Sequence, residues 1–198
     1  MRLPNTEHTA RPWRIHEIAS DFRLEDLWEF PGRLGQDDFP PAIELLAAYD
    51  TAESSSAAVR ALFALRWKLG ALLGWDSPEA GVGSRVPTLR DRLPADLREK
   101  PGPDFASLPF TSLYLTDDEF AAEVANRTVH GILHIGRVPD ATAGYRLDGA
   151  VLVRPNGLFG HAYMAAIRPF RHLIVYPALM REAHEVWDEY VAAGRSLE

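Results

Sequence analysis

The chain has 198 residues, 46% hydrophobic and 25% charged, a composition ordinary for a soluble globular fold and long enough for one domain with a substantial core. Its 28 acidic and 21 basic side chains give a net charge of -7 with no block of lysines or arginines, which argues against a phosphate-tracking nucleic-acid surface. Cysteine is absent, so disulfides, thiolate metal sites and a cysteine nucleophile are excluded; the amino-terminal MRLPNTEHTARPW has no apolar core and no tract approaches a membrane span, so a cytoplasmic protein is expected.

The first element expected is a strand at WRIHEI, where Trp13 and Ile15 share one face and Arg14 and His16 the other. Asp37 and Asp38 before Pro40, Pro41 and AIELLAAY predict a capped entry into a short helix. A stronger helix follows Ser54, Ser55 and Ser56, with Val59, Leu62, Phe63, Leu69 and Leu73 on one side and Arg60, Ala64 and Lys68 opposite. Residues 76–109 carry prolines, Gly81, Gly83 and the charged run RVPTLRDRLPADLREK, which hold at most short helical turns. Such a stretch is either a surface crossing to the sheet or a lid.

Antiparallel strands then follow closely: Leu113 to Thr116, Phe120 to Asn126, a reversal at Asn126-Arg127-Thr128, and VHGILHIGRV. In YRLDGAVLVR the alternation is clearest, with Tyr145, Leu147, Gly149, Val151 and Val153 on the face expected inside, against Arg146, Asp148 and Arg154. Pro155, Asn156 and Gly157 turn the chain into HAYMAAIR, a further expected strand on which His161, Tyr163, Ala165 and Ile167 share a side. Pro169 is expected to open a final helix, kinked at Pro177, whose stripe of Leu173, Tyr176, Met180, Ala183, Trp187, Tyr190 and Val191 faces the sheet.

Arg66 falls within the apolar stripe of the Ser56 helix. It either snorkels or meets a structural carboxylate such as Glu123 or Asp148, or it is a fixed cation that grips a ligand's carboxylate or phenolate. His130 and His134, four apart, share a face as metal ligands would, but the opposite face of Val129, Gly131, Leu133 and Ile135 is the better core face, so the histidines are expected to point away from the core. No third ligand stands at recognisable spacing, and HExxH is absent. His161, Tyr163, Tyr176 and Met180 form either an ordinary core or a wall that orients an aromatic ligand. Arg168, Arg171 and His172 read as a surface cluster or as a greeting for an anion. GVGS at Gly81 lacks the flanking strand and helix of a nucleotide loop, no GxSxG elbow occurs, and Asn126-Arg127-Thr128 reads as a turn.

The stretches WRIHEIASDFRLEDLWEF, ALRWKLGALLGW, GSRVPTLRDRLP, LYLTDDEFAAEVANRTVHGILHIG and AYMAAIRPFRHLIVYPALM together resemble domain-of-unknown-function family 2867, from about Thr9 to Trp187. That resemblance implies the START-like (SRPBCC, helix-grip) superfamily, in which an antiparallel sheet curls around a long carboxy-terminal helix. Members of the wider group bind lipids, steroids, hormones or polyketides, and some catalyse cyclisation or dehydration. The family brings no catalytic residues to carry across.

The expectation is therefore one α+β helix-grip domain over residues 1–198, its core about 9–193, with additional helices between the first and second strands. It would hold an apolar or aromatic small molecule, with Arg66, Leu147, Val151, His161, Tyr163, Tyr176, Met180 and Trp187 as ligand-binding residues and no cofactor or metal. The alternatives are a cofactor-free cyclase or dehydratase using Tyr163, His161 or Arg66, and a dimeric interaction module without a ligand; monomer and homodimer both stay open.

Overall fold

A computed structural model describes residues 1–48, 60, 81–84, 86–140 and 144–192, the side chains of residues 186 and 189–192 excepted. The helix expected after Ser56, with Arg66, lies outside the described residues except for Arg60, which is helical.

Five strands form one open antiparallel sheet: β1 (Arg23–Glu29), β2 (Thr111–Leu115), β3 (Glu119–Ala125), β4 (Val129–Pro139) and β5 (Tyr145–Pro155). Their spatial order is β1-β5-β4-β3-β2. The last four strands are a meander built by local turn chemistry. At the β2–β3 turn Thr116 Oγ1 accepts the Glu119 amide at 3.0 Å. At the β3–β4 turn Asn126 Oδ1 accepts both the Thr128 and Val129 amides, at 2.8 and 3.0 Å, and so fixes the reversal. β4 and β5 then pair over eleven residues each, from Val129 opposite Pro155 to Pro139 opposite Tyr145.

The amino-terminal region corrects the expected first strand. Residues Ile15–Ile18 form a single helical turn (α2) after α1 (Asn5–Thr9), and the strand is Arg23–Glu29 instead. Ile15 and Ile18, three apart, are both buried, a helical spacing that alternation at Trp13 and Ile15 does not reveal. The expected short helix is α3 (Phe39–Ala48), and the Pro-rich stretch holds a 3₁₀ turn (Leu89–Arg92) and α4 (Ala95–Arg98).

The carboxy-terminal region corrects the expected strand at HAYMAAIR, which is helical. α5 (Gly157–Phe170) starts at Gly157, whose φ of 66° turns the chain off β5. A π-helical turn (Arg171–Val175) separates it from α6 (Tyr176–Ala192). Pro169 thus lies inside a helix and does not open one, and Pro177 is the second residue of α6. The wide turn falls between two prolines that cannot donate to the helical ladder, a known cause of local helix distortion.

Both faces of the sheet are covered. On one face Ile15, Ile18, Leu89, Leu93 and Leu97 of the short helices pack on Leu27, Ile132 and Leu152. On the other, Phe39 and Ile43 of α3, with Trp187 of α6, pack on Phe120, Ile135 and Leu147. No described helix is long and apolar enough to cross a membrane.

Candidate functional site

Between the second face and α6 lies a cavity of about 190 Å³. The sheet contributes Trp28, Leu133, Ile135, Leu147, Gly149 and Val151. Helix α6 contributes Tyr176, Leu179, Met180, Ala183 and Trp187, with Glu182 as a buried carboxylate. Phe30 and Pro31 after β1, and Leu45 and Leu46 of α3, close the sides. Phe105 and Leu108 also line it, so the end of the Pro-rich stretch is part of the wall. Five aromatic rings thus border a space whose other walls, apart from Glu182, are aliphatic or backbone, the composition that favours apolar and aromatic ligands.

Two glycines let rings lie against the backbone. A Cβ at Gly149 would collide with the Phe30 ring, and at Gly32, whose φ is 94°, it would fall 2.5 Å from Trp187 Nε1. Trp28 and Tyr176 meet with ring centroids 5.0 Å apart and planes tilted by 36°.

Beside these two rings sits a buried ionic cluster. Asp26, 1% exposed, lies on β1 opposite Val151. Its Oδ2 receives Arg171 and, at 3.1 Å, the Tyr176 hydroxyl, while Arg171 also donates to the Tyr176 oxygen at 3.0 Å. His172 Nε2 lies 3.1 Å from Asp26 Oδ1. Burial, with the Asp26 charge adding to it, raises the Tyr176 phenol well above its ordinary value, so it is a neutral donor at physiological pH.

The opposite face carries a second polar system, which corrects the placement of the histidines. His130 and His134 are fully buried and do not point to solvent, because the short helices cover that face as well. His134 Nε2 reaches Glu119 Oε1 at 3.1 Å, and His130 Nε2 reaches Glu123 Oε2 at 2.8 Å. Glu119 also accepts the Tyr114 hydroxyl at 2.6 Å and the Arg14 and Ile15 amides at 2.9 Å each. Burial opposes its charge, but the hydrogen bonds from His134, Tyr114 and the backbone outweigh it and hold the carboxyl at about 2. An ionised Glu119 can only accept, so His134 donates to it from Nε2, and His134 Nδ1 lies 3.0 Å from His8 Nε2. His8 Nδ1 in turn lies 3.1 Å from His16 Nε2. Successive rings meet edge-on, with planes 89° and 67° apart, and among the described residues no group of three or more His, Asp or Glu is placed to hold a metal ion. Glu123 is satisfied by His130, Thr88 and the Leu89 amide, and Asp148 by Arg146, both on this face.

Of the residues singled out from sequence, Leu147, Val151, Tyr176, Met180 and Trp187 converge on the cavity. His161 is exposed and Tyr163 half-buried on α5, and neither lines it; Arg66 lies outside the described residues. The residues that sequence reasoning missed are Trp28, Phe30, Asp26 and the aromatic Phe105. The alternation signal fails in β1, where the pairing with β5 shifts register between Leu24 and Asp26.

The chain belongs to the family described as protein of unknown function (DUF2867), whose model matches residues 18–178. No curated protein and no solved structure matches it.

Proposed function

We propose that the chain is a helix-grip, START-like binding protein that holds an apolar or aromatic small molecule between its sheet and α6. The observation that carries this reading is the aromatic-walled cavity of about 190 Å³. An apolar cavity of about 150 Å³ accepts benzene, so this one suits a molecule of one or two rings. The cyclase or dehydratase reading drew on Tyr163, His161 or Arg66; the first two lie on α5 and do not line the cavity, Arg66 lies outside the described residues, and so binding leads. Native mass spectrometry of gently purified protein, with calorimetric titration of naphthalene as a probe, tests it: a retained small apolar mass or saturable binding is expected. Absence of both overturns the reading.

One observation favours a second reading, self-association. Leu158, Phe170 and Leu173 are 90%, 53% and 77% exposed, and Ala162, Ala165 and Ala166 between them are exposed on the same side of the helical segment. Large ends around a small middle make this stripe self-complementary across a two-fold axis, with the alanines allowing close approach of a second copy. Light scattering at high concentration should report a dimer that Leu173→Glu dissociates; a strict monomer rejects it.

A further inference from the structure

Among the described residues the wall of the cavity holds one charged side chain, Glu182, and no lysine, arginine or histidine. Glu182 is 4% exposed, so it has left bulk water. On α6 it stands three residues after Leu179 and one before Ala183, at the edge of the helical arc that forms the wall. The border also carries the rings of Trp28, Phe30, Phe105, Tyr176 and Trp187. Ligand cavities are mostly apolar and use a few polar groups to fix orientation, and here the charged one is an anion set among aromatic rings.

We infer that the cavity takes a cationic amine, an ammonium on an apolar or aromatic body, with Glu182 as its counter-charge. The inference rests on the binding reading above and names the ligand class. Aromatic rings carry negative faces that attract an ammonium, most strongly where water is excluded, and tryptophan does so best. The same rings offer apolar surface to the body of the ligand. A carboxylate is an acceptor with about four lone-pair sites, so contacts within the protein leave it able to receive an N–H donor. Opposite charges that meet out of water attract far more strongly than in it, which offsets the hydration that the ammonium gives up. A ligand carboxylate has the opposite fate: Glu182 meets it as a like charge, the rings present negative faces, and no described wall residue supplies a cation. The net charge of -7 favours the approach of cations in the same sense.

Calorimetric titration of the full chain, at neutral pH and low salt, with naphthalene, 2-naphthylmethylamine and 2-naphthoate tests this; the amine is an ammonium under those conditions. The expected result is the amine binding about tenfold tighter than naphthalene, with 2-naphthoate weakest. Glu182→Gln keeps the shape of the side chain and removes its charge. In that variant naphthalene affinity should hold, which also reports an intact cavity, while the amine-to-naphthalene affinity ratio should fall to about one or below. Equal affinity for the two in the parent chain overturns the inference without any variant, and so does a ratio that survives Glu182→Gln; both leave the cavity reading intact. Failure of all three probes to bind overturns the cavity reading itself.

Discussion

Glu119 on β3 and His134 on β4 are joined diagonally by a 3.1 Å hydrogen bond, and four residues along each strand Glu123 and His130 repeat the arrangement at 2.8 Å. Each glutamate also receives amides from a short helical turn that covers the sheet: Arg14 and Ile15 at the start of α2, and Leu89 at the start of the 3₁₀ turn. Turns of four residues have too few internal hydrogen bonds to persist alone. They are held by carboxylates projecting from the sheet, which serve as end caps supplied from elsewhere in the chain.

Removing one of those caps should therefore loosen a helix remote in sequence. Glu123→Ala leaves the Leu89 amide, the Thr88 hydroxyl and His130 Nε2 without their acceptor. Buried groups left unpaired cost about 1–3 kcal/mol each before relaxation, so a loss of roughly 2–4 kcal/mol is expected from urea unfolding. Hydrogen exchange at Leu89 should accelerate more than at Leu133 in the strand beneath. Uniform acceleration at both would mean that Glu123 acts on global stability and not as a cap.

The histidine chain makes stability depend on acid in a definite direction. Burial, reinforced by the neighbouring His134 and His16, lowers His8 to about 3, and burial lowers His16 as well. The unfolded chain takes up a proton on His8 near pH 6.5, the folded chain only near 3. His8 thus contributes fully above pH 6.5, and its contribution is lost as pH falls between those values, by about 1.4 kcal/mol per unit. Glu119, ionised to about 2, adds loss in the same direction once pH drops below the usual carboxylate range. Urea midpoints measured from pH 7 to 4 should fall steadily, and His8→Gln should flatten the slope between pH 6 and 4.5. An unchanged slope would show that another group carries the dependence.

The meander from Thr111 to Pro155 was legible because its turns and alternation are local properties. Four other features were not. Alternation in β4 correctly separated His130 and His134 from Leu133 and Ile135, yet it says which residues share a face and not which face is covered. Here both are. In β1 the register shift between Leu24 and Asp26 breaks the period of two on which recognition depends. At HAYMAAIR four alternating positions suggested a strand, but alanine and methionine favour helix and Gly157 supplies the turn that starts one. The Asp26, Arg171 and Tyr176 cluster joins residues some 145 and 150 positions apart, beyond the reach of any local pattern.

If the cavity is where a ligand sits, filling it should separate binding from folding. Leu147 is 6% exposed on β5 and borders the space directly. Leu147→Phe adds ring volume toward a void and not into packed atoms, so the usual overpacking penalty of about 1–3 kcal/mol should be largely absent. Thermal midpoint is expected to hold or rise while naphthalene affinity falls at least about tenfold, a loss of about 1.4 kcal/mol. A marked drop in midpoint with unchanged affinity would place the ligand elsewhere.

Gly32 offers the sharpest test of how the α6 wall of the cavity is seated, because two separable penalties meet there. Its φ of 94° suits glycine and disfavours any Cβ by about 1–2 kcal/mol, and that Cβ would also strike the Trp187 indole. Gly32→Ala should therefore destabilise by more than the backbone term alone and weaken naphthalene binding as Trp187 is displaced from the wall. In a Trp187→Ala background the collision is gone and only the backbone term remains, so the two substitutions should be non-additive by about 0.5–3 kcal/mol, the range for residues in contact. Chemical denaturation of the four members of this cycle measures the difference. Strict additivity would mean that Trp187 does not rest on Gly32 in solution, and the α6 wall of the cavity would have to be redrawn.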